Sequence, residues 1–407
     1  MLAITALMLL LSIVRLSLDN PQAGMETTNT WWPIINGLQD GEGFVSCFSK
    51  YFPFCGPENN TTAAREPIPS LLHAGVGLIT GRSLWAAVGV HLLIGIAVAW
   101  LLFVLGQRWA SARVGLLAAL CWSIYLPVYQ MLPQIGGDHF ALLFSVSALL
   151  VMQSAFEKST PKKWLLLGLL VGVAMLCRST LMAYIPAIGL AILLSKGAIK
   201  QKTSRILLIA AGLVVVLAPW SIRNHNALGT WSFGSTLSGY NVLRHNSVLS
   251  EEDIYQYVGP NEAHELVLDL ITDHPELRGD ENEKEMNSLY MEAGLESISS
   301  HPWNYIKLSF YRLFVMWTNW KVSDSSNRAS GIEDHSMSIQ QIIFLLLGLF
   351  SLRMRTGFER AIVFTILFYC ALHMGVVCRI RYLLPLMPIL LLFVGRTLDR
   401  WITLRKV

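Results

Sequence analysis

The sequence predicts an all-α polytopic membrane protein with about ten transmembrane helices. Hydrophobic residues make up 53% of its 407 residues and charged residues only 14%, and the mean hydropathy is +0.48. A water-soluble protein carries roughly a quarter charged residues. The apolar residues also gather in runs long enough to cross a bilayer. Two long polar segments between these runs are predicted to be extracytoplasmic and to carry short helices.

The first apolar run, 2–18, lacks the basic start of a signal peptide, and no small-residue cleavage site follows it. We therefore expect it to be retained as the first span. The other candidate spans are the apolar runs 84–106, 114–131, 139–156, 164–177, 181–195, 206–221, 338–352, 360–377 and 383–399.

The loops between these runs predict the orientation of the chain. Lysine and arginine in short loops favour the cytoplasmic side, and the basic segments are 107–113, 157–163, 196–205, 353–360 and the C-terminal tail. Placing all five inside gives ten spans with both termini cytoplasmic. The segments 19–83 and 222–337 then lie outside.

The chain accordingly divides into three parts. An N-terminal transmembrane module covers 1–221 and includes the outer loop 19–83, an extracytoplasmic segment covers 222–337, and the C-terminal helices cover 338–407. The aromatic, amphipathic stretch 303–320 is predicted to lie at the membrane interface. An eleventh short span is the alternative, but it would move the basic loop 353–360 outside.

Several charged residues fall at the outer ends of the spans or in the outer loops. Ionisable groups at bilayer depth are expensive and usually serve a purpose. Guanidinium groups suit phosphate oxygens, and carboxylates suit a general base or a cation ligand. Structural alternatives exist: Arg178 could pair with Asp138 inside the bundle, and Arg223 could reach to lipid headgroups. The set comprises Arg178, Arg223, Arg379, Arg381, Asp138, Glu26 and Glu66.

Other side chains with potential chemistry give weaker signals. Cys47 and Cys55 flank a short loop stretch and could form a disulfide if that loop is extracytoplasmic. The histidines of 222–337 show no ligand spacing. The net charge of +4 is too small to indicate nucleic-acid binding, and no basic–aromatic repeat supports it.

Six segments, in order, resemble a known family. They are NGLQDGEGF, REPIPSLLHAGVGLITG, LLVGVAMLCRSTLMAYIPAIGLAILL, PWSIRNHNALGTWSFGSTLSGYNVLRHNS, HPWNYIKLSFYRLFVMW and RYLLPLMPILLLFVG. The chain resembles the bacterial branch of the GT-C glycosyltransferases, the protein O-mannosyltransferase-like family that includes aminoarabinose transferases of lipid A. The resemblance runs through nearly the whole chain.

The resemblance implies transfer of a sugar from a polyprenyl-phosphate donor to a glycan, glycolipid or protein acceptor. The reaction would take place on the outer side of a bacterial cytoplasmic membrane, facing the periplasm, and a single displacement would invert the anomeric centre. The segment before the aromatic pair Trp31–Trp32 is TTNT, where the family often has its acid, so Glu26 is the first candidate for the base and Asp19 the second. Asp138 occupies the place of another outer-loop acid of the family.

The remaining roles follow from the same resemblance. The donor phosphate is expected to bind Arg379, Arg381 and Tyr382, with help from Arg223 or Arg178. Arg65 and Glu66 stand in the family's Arg-x-Pro-like stretch, and Asn224 follows Arg223 in its Pro-Trp-x-x-Arg-Asn run. A divalent cation such as Mg²⁺ or Mn²⁺ between acids and phosphate is an open alternative, because no residue pattern specifies one.

Two other classes of function compete with a glycosyltransferase. A transporter or flippase for a lipid-linked or anionic solute would place its polar groups near the bilayer midplane, often on two repeated halves. Here the charges gather at one face. A polysaccharide polymerase or ligase of another fold would use the same lipid carriers, but the ordered segments argue against it.

Overall fold

The computed structural model describes residues 1–18, 30–56, 60–319 and 331–404, and this part of the chain contains 17 α-helices. The all-α prediction is confirmed. The helices are α1 Leu2–Leu18, α2 Trp32–Gln39, α3 Pro67–Thr80, α4 Leu84–Trp109, α5 Ala112–Ser123, α6 Leu126–Met131, α7 Asp138–Glu157, α8 Pro161–Met175, α9 Tyr184–Leu193, α10 Ile199–Leu228, α11 Ser238–Asn246, α12 Pro260–Thr272, α13 Glu283–Ser300, α14 Pro302–Thr318, α15 Gly331–Ser351, α16 Gly357–Met374 and α17 Met387–Leu404.

Four of the described helices, α4, α7, α10 and α16, are long and apolar enough to cross a membrane. The chain is a multi-pass membrane protein. Shorter apolar helices occur over 2–17, 67–80, 112–123, 179–193 and 335–351. The count of ten spans therefore stays a prediction.

Two apolar stretches differ from the predicted spans. The run 114–131 is divided into α5 and α6 at Ile124–Tyr125, where Pro127 starts a new helix. The stretch 67–80, placed by the sequence in the outer loop, forms α3, with prolines in its first turn. At 1.5 Å per residue α3 is about 21 Å long, which is short for a full span.

Glycines allow the long helices to pack closely. At the crossing of α8 and α10, a Cβ on Gly168 or Gly212 would overlap backbone atoms of the partner helix. Gly106 of α4 and Gly115 of α5 meet in the same way. Small residues at helix crossings are the usual means of close approach in membranes. The main hydrophobic core lies between these helices.

The basic loops meet at one end of this bundle. Glu359 at the start of α16 is fully buried, pairs with Arg353 and accepts a hydrogen bond of 3.2 Å from Nε1 of Trp109 at the end of α4. Arg113 pairs with Asp399 at 3.2 Å. The segments 107–113, 353–360 and the end of α17 therefore lie together, as the predicted orientation requires.

At the other end, the two segments predicted to lie outside, called the first and second outer segments below, share a second hydrophobic core. Ile34, Phe48 and Phe52 of the first segment pack with Tyr240 and Tyr290 of the second. Cys47 and Cys55 are joined as a disulfide with Cα atoms 5.3 Å apart. The two segments thus form one packed layer over the end of the bundle.

The predicted interfacial stretch 303–320 forms α14, which ends at Thr318. One of its faces is buried through Leu308, Arg312 and Met316. The other carries exposed apolar side chains, with Trp303 74% and Phe310 62% exposed. Its position at the membrane interface stays a prediction.

Candidate functional site

Three irregular stretches meet where the outer layer joins the bundle. They are the residues before α3, the turn between α8 and α9, and the turn between α16 and α17. Arg178 and Arg379 each have extended backbone before a short 3₁₀ turn, Ser179–Ala183 and Ile380–Leu383 respectively.

Arg178 is anchored by two contacts. Its guanidinium forms an ion pair with Asp138, the first residue of α7, which is the pairing that the sequence allowed as a structural alternative. The Cζ atom of Arg178 also lies 4.7 Å from the centroid of the Tyr382 ring. The ion pair therefore fixes a cation against this aromatic ring.

Arg381 contacts the same tyrosine. Its Cζ lies 5.1 Å from the Tyr382 ring centroid, and its Nη2 donates a 3.3 Å hydrogen bond to the Tyr382 hydroxyl. Tyr369 of α16 donates to the Tyr382 carbonyl at 2.9 Å, which fixes the turn. Among the described residues, the buried Nε of Arg381 has no hydrogen-bond acceptor. This donor is therefore available to an anion.

Arg65 and Glu66 approach from the first outer segment. Arg65 Nε donates to Oγ1 of Thr30 at 2.7 Å, and Glu66 accepts a 2.9 Å hydrogen bond from the backbone N–H of Ser179. Burial is the main cause that lowers the pKa of Arg65, and the positive charge of Arg381 acts in the same direction. The cations of Arg65 and Arg381, from two separate stretches, are thus close enough to repel each other.

The ionisation of Tyr382 reflects this positive field. Burial alone would raise the pKa of its hydroxyl, but the charges of Arg381 and Arg178 outweigh burial and lower the pKa to about 8. We call Arg65, Arg178, Arg381 and Tyr382 the Tyr382 site.

Arg379, predicted to share the phosphate with Arg381, contacts a different residue. Its Cζ lies 4.6 Å from the ring centroid of Tyr257, in the second outer segment. Sequence analysis did not single out Tyr257, because a lone tyrosine in a polar loop carries no signal of a site.

Arg223 and Asn224 hold the backbone of the outer layer. The Arg223 guanidinium donates to the carbonyls of Thr62 at 2.8 Å and Phe44 at 3.1 Å, and Asn224 donates to the carbonyl of Ser232 at 2.9 Å. These contacts give both residues a structural role. Their predicted role at the donor phosphate stays a prediction.

The carboxylates fall into two groups. Asp138 and Glu66 lie beside the Tyr382 site, whereas Glu26 and Asp19 are outside the described residues. Within the described ranges, no group of three or more His, Cys, Asp and Glu side chains is arranged to hold a metal ion. Because Asp138 is already paired with Arg178, the described residues do not form a suitable set of cation ligands.

A family profile and solved structures match this chain. Residues 64–222, which include Arg65, Asp138 and Arg178, match the dolichyl-phosphate-mannose-protein mannosyltransferase family. The fold is similar to the oligosaccharyltransferase of Archaeoglobus fulgidus tethered with an acceptor peptide, with 11% identity, a TM-score of 0.55 and coverage of 97% of this chain and 49% of that one. The chain is therefore similar to this mannosyltransferase family over residues 64–222, and its fold is similar to that of the oligosaccharyltransferase.

Two further structures are similar to this chain. Oligosaccharyltransferase AglB of A. fulgidus, in complex with an inhibitory peptide and a dolichol-phosphate, has 12% identity and a TM-score of 0.55, with coverage of 97% and 50%. ArnT of Cupriavidus metallidurans, bound to undecaprenyl phosphate, has 11% identity and a TM-score of 0.47, with coverage of 97% and 77%. No curated protein matches the sequence.

The chain spans about half the length of the oligosaccharyltransferase chains that it matches. The resemblance found in the sequence segments is confirmed by the family match over residues 64–222 and by the similar fold.

Proposed function

We propose that this protein is a glycosyltransferase of the GT-C type, which transfers a sugar from a polyprenyl-phosphate donor to an acceptor hydroxyl at the outer face of a bacterial cytoplasmic membrane. The observation that carries the proposal is the Tyr382 site. Arg178 and Arg381 both contact one tyrosine ring, Arg65 lies close to them, and the buried Arg381 Nε has no acceptor among the described residues. The match to a mannosyltransferase family supports it.

In the proposed reaction, the acceptor oxygen attacks the anomeric carbon of the donor sugar. The bond from that carbon to the phosphate oxygen breaks, and its electron pair leaves with the polyprenyl phosphate. Attack from the face opposite the phosphate gives inversion. Arg381 and Arg178 stabilise the negative charge that the leaving phosphate gains, which is the kind of preorganised interaction that contributes most to many enzymes.

A carboxylate accepts the proton of the attacking hydroxyl, a step typically worth about 10²–10⁴-fold in rate. The proposed candidates are Glu26, Asp138 and Asp19. Asp138 already forms an ion pair with Arg178, so it also orients that cation.

The acceptor in this proposal is a glycan, a glycolipid or a protein. The solved oligosaccharyltransferase carries an acceptor peptide with the NVT sequon. That peptide is tethered to an oligosaccharyltransferase chain about twice as long as this one.

The test uses the full chain in membrane vesicles with a polyprenyl-phosphate sugar labelled in both sugar and lipid. We expect release of unmodified polyprenyl phosphate and movement of label from the sugar to an acceptor fraction. The matched control is vesicles that contain the Arg113→Gln variant, in which the substitution lies at the opposite end of the bundle. These vesicles should release polyprenyl phosphate like the unsubstituted chain. Labelled lipid that crosses the bilayer unaltered would instead establish the rival transporter or flippase function.

The pKa of Tyr382 gives this proposal a pH dependence. As pH rises through about 8, the Tyr382 hydroxyl loses its proton and the phenolate neutralises part of the positive field around it. We therefore expect the donor KM to rise above pH 8. In Tyr382→Phe, which cannot ionise, the donor KM should stay level over pH 7–9. An equal rise in both proteins would contradict this assignment.

A further inference from the structure

The two arginines of the segment Arg379–Ile380–Arg381 reach different aromatic rings. Arg381 contacts Tyr382, and Arg379 contacts Tyr257 of the second outer segment. Residues two apart in sequence lie at most about 7 Å apart at their Cα atoms. The Tyr257 ring therefore marks a second cationic position close to the Tyr382 site.

A second arginine is fixed at the same ring. Nε and Nη2 of Arg244 donate to the carbonyl of Val258 at 3.0 and 2.7 Å, and Nη2 also donates to the Tyr257 hydroxyl at 2.8 Å. The Cζ of Arg244 lies 5.4 Å from the Tyr257 ring centroid. The guanidinium is thus held in place by a backbone carbonyl, which leaves its positive charge uncompensated.

This cluster has positive charge without a paired carboxylate. Within the described part of the chain, no ion pair joins Arg244 or Arg379 to an acid. Burial, reinforced by the charges of neighbouring arginines, lowers the pKa of His245 well below its usual value, so this histidine is neutral. Tyr257 is 47% exposed. The cluster is therefore open to a ligand from outside.

A third arginine nearby, Arg312, has a structural role. Arg312 of α14 is buried and donates to Asn246 Oδ1 at 3.1 Å, to the Gly375 carbonyl at 3.3 Å and to the His245 carbonyl. It binds the second outer segment to the turn that carries Arg379. Arg312 thus ties the end of the helix that carries Arg244 to the turn that leads to Arg379.

We propose that Arg244, Arg379 and Tyr257 bind a phosphate group carried by the sugar acceptor, so that the acceptor is a phosphorylated glycan or glycolipid. This inference rests on the proposed function and specifies its acceptor. Two guanidinium groups match the oxygens of a phosphate, and an exposed aromatic ring packs against a sugar face. The short distance between the two sites brings the acceptor hydroxyl near the donor phosphate.

The test measures equilibrium binding of two probes to the full chain in phosphatidylcholine nanodiscs. Labelled glucose 6-phosphate reports on the Tyr257 cluster and polyprenyl phosphate on the Tyr382 site. We expect Arg379→Gln and Arg244→Gln each to weaken glucose 6-phosphate binding at least 10-fold and to change polyprenyl phosphate binding less than twofold. Arg381→Gln should weaken polyprenyl phosphate binding at least 10-fold and change glucose 6-phosphate binding less than twofold. Arg379→Lys should retain most of the affinity, and Arg113→Gln should match the unsubstituted chain with both probes.

Competitors identify which part of the probe is recognised. Glucose 6-phosphate should be displaced by excess inorganic phosphate, weakly by glucuronate and not by glucose. Stronger displacement by glucuronate would overturn the assignment to phosphate. Thermal unfolding of each variant verifies that it is folded.

Two results would overturn the proposal. One is glucose 6-phosphate affinity that is unchanged in both Arg379→Gln and Arg244→Gln. The other is a loss of polyprenyl phosphate binding in Arg379→Gln as large as in Arg381→Gln, which would put both arginines at the donor. If the unsubstituted chain does not bind polyprenyl phosphate but its glucose 6-phosphate binding depends on Arg379, the proposed donor is wrong and the phosphate site stands.

Discussion

Replacement of Arg381 by glutamine is expected to lower sugar transfer about 10²–10³-fold. The proposed role of Arg381 is to stabilise charge on the leaving phosphate, and its buried Nε, which has no acceptor among the described residues, is the donor best placed to do so. Glutamine keeps a polar side chain but removes the charge and the two-pronged geometry. The measurement is the initial rate of polyprenyl phosphate release from the labelled donor at saturating donor concentration.

Two comparisons make this result specific. Arg113→Gln removes an exposed arginine at the other end of the bundle and should retain the full rate. The double variant Arg379→Gln/Arg381→Gln should be inactive yet still inserted in the membrane. A rate in Arg381→Gln within threefold of the unsubstituted chain would show that the Tyr382 site does not hold the donor phosphate.

The second large effect is expected on stability, from Glu283→Ala. Glu283 begins α13 and is 7% exposed, and its carboxylate accepts hydrogen bonds from Thr62 Oγ1 at 2.5 Å, Ala63 N at 2.9 Å and Thr236 Oγ1 at 2.6 Å. Alanine leaves these buried donors without an acceptor. Since each unsatisfied buried group costs about 1–3 kcal/mol, we expect the free energy of unfolding to fall by about 2–4 kcal/mol.

The isosteric variant Glu283→Gln separates hydrogen bonding from charge. Glutamine retains one acceptor oxygen and should lose less stability than alanine. Burial raises the pKa of Glu283 above its ordinary value, although its hydrogen bonds oppose that shift. A raised pKa means that this carboxyl stabilises the fold fully below its unfolded pKa and loses that contribution as pH rises through its folded pKa. Glu283→Gln should lack this decline.

Thermal unfolding in detergent or nanodiscs, followed over pH 4–8, measures both effects. Because Thr62 and Ala63 lie just before Arg65 and Glu66, loosening this contact should also reduce transfer. Unfolding of Glu283→Ala at the same temperature as the unsubstituted chain would show that Glu283 does not hold the two outer segments together.

Helix positions were largely predictable from the sequence. The run 2–18 coincides with α1, and 84–106 lies inside α4, because long apolar runs in a bilayer have to satisfy their backbone hydrogen bonds as helices. The basic loops also predicted which helix ends lie together, as the contacts of Glu359 and Asp399 show. The break at Ile124–Tyr125 was missed because hydropathy does not distinguish one long helix from two short ones.

The sequence by itself determined the membrane class and the family resemblance. It also predicted that Arg178, Arg379 and Arg381 lie at the same end of the bundle, opposite the basic loops. Apolar runs, basic loops and short motifs are local properties of the chain, and they are sufficient for those conclusions. Only the tertiary structure decided which arginine does what: Arg178 pairs with Asp138, Arg223 binds carbonyls, and Arg379 and Arg381 go to different rings. The reason is physical. In irregular backbone, the direction of a side chain depends on partners far away in sequence, and Tyr257 and Glu283 become partners only when the outer layer folds over the bundle.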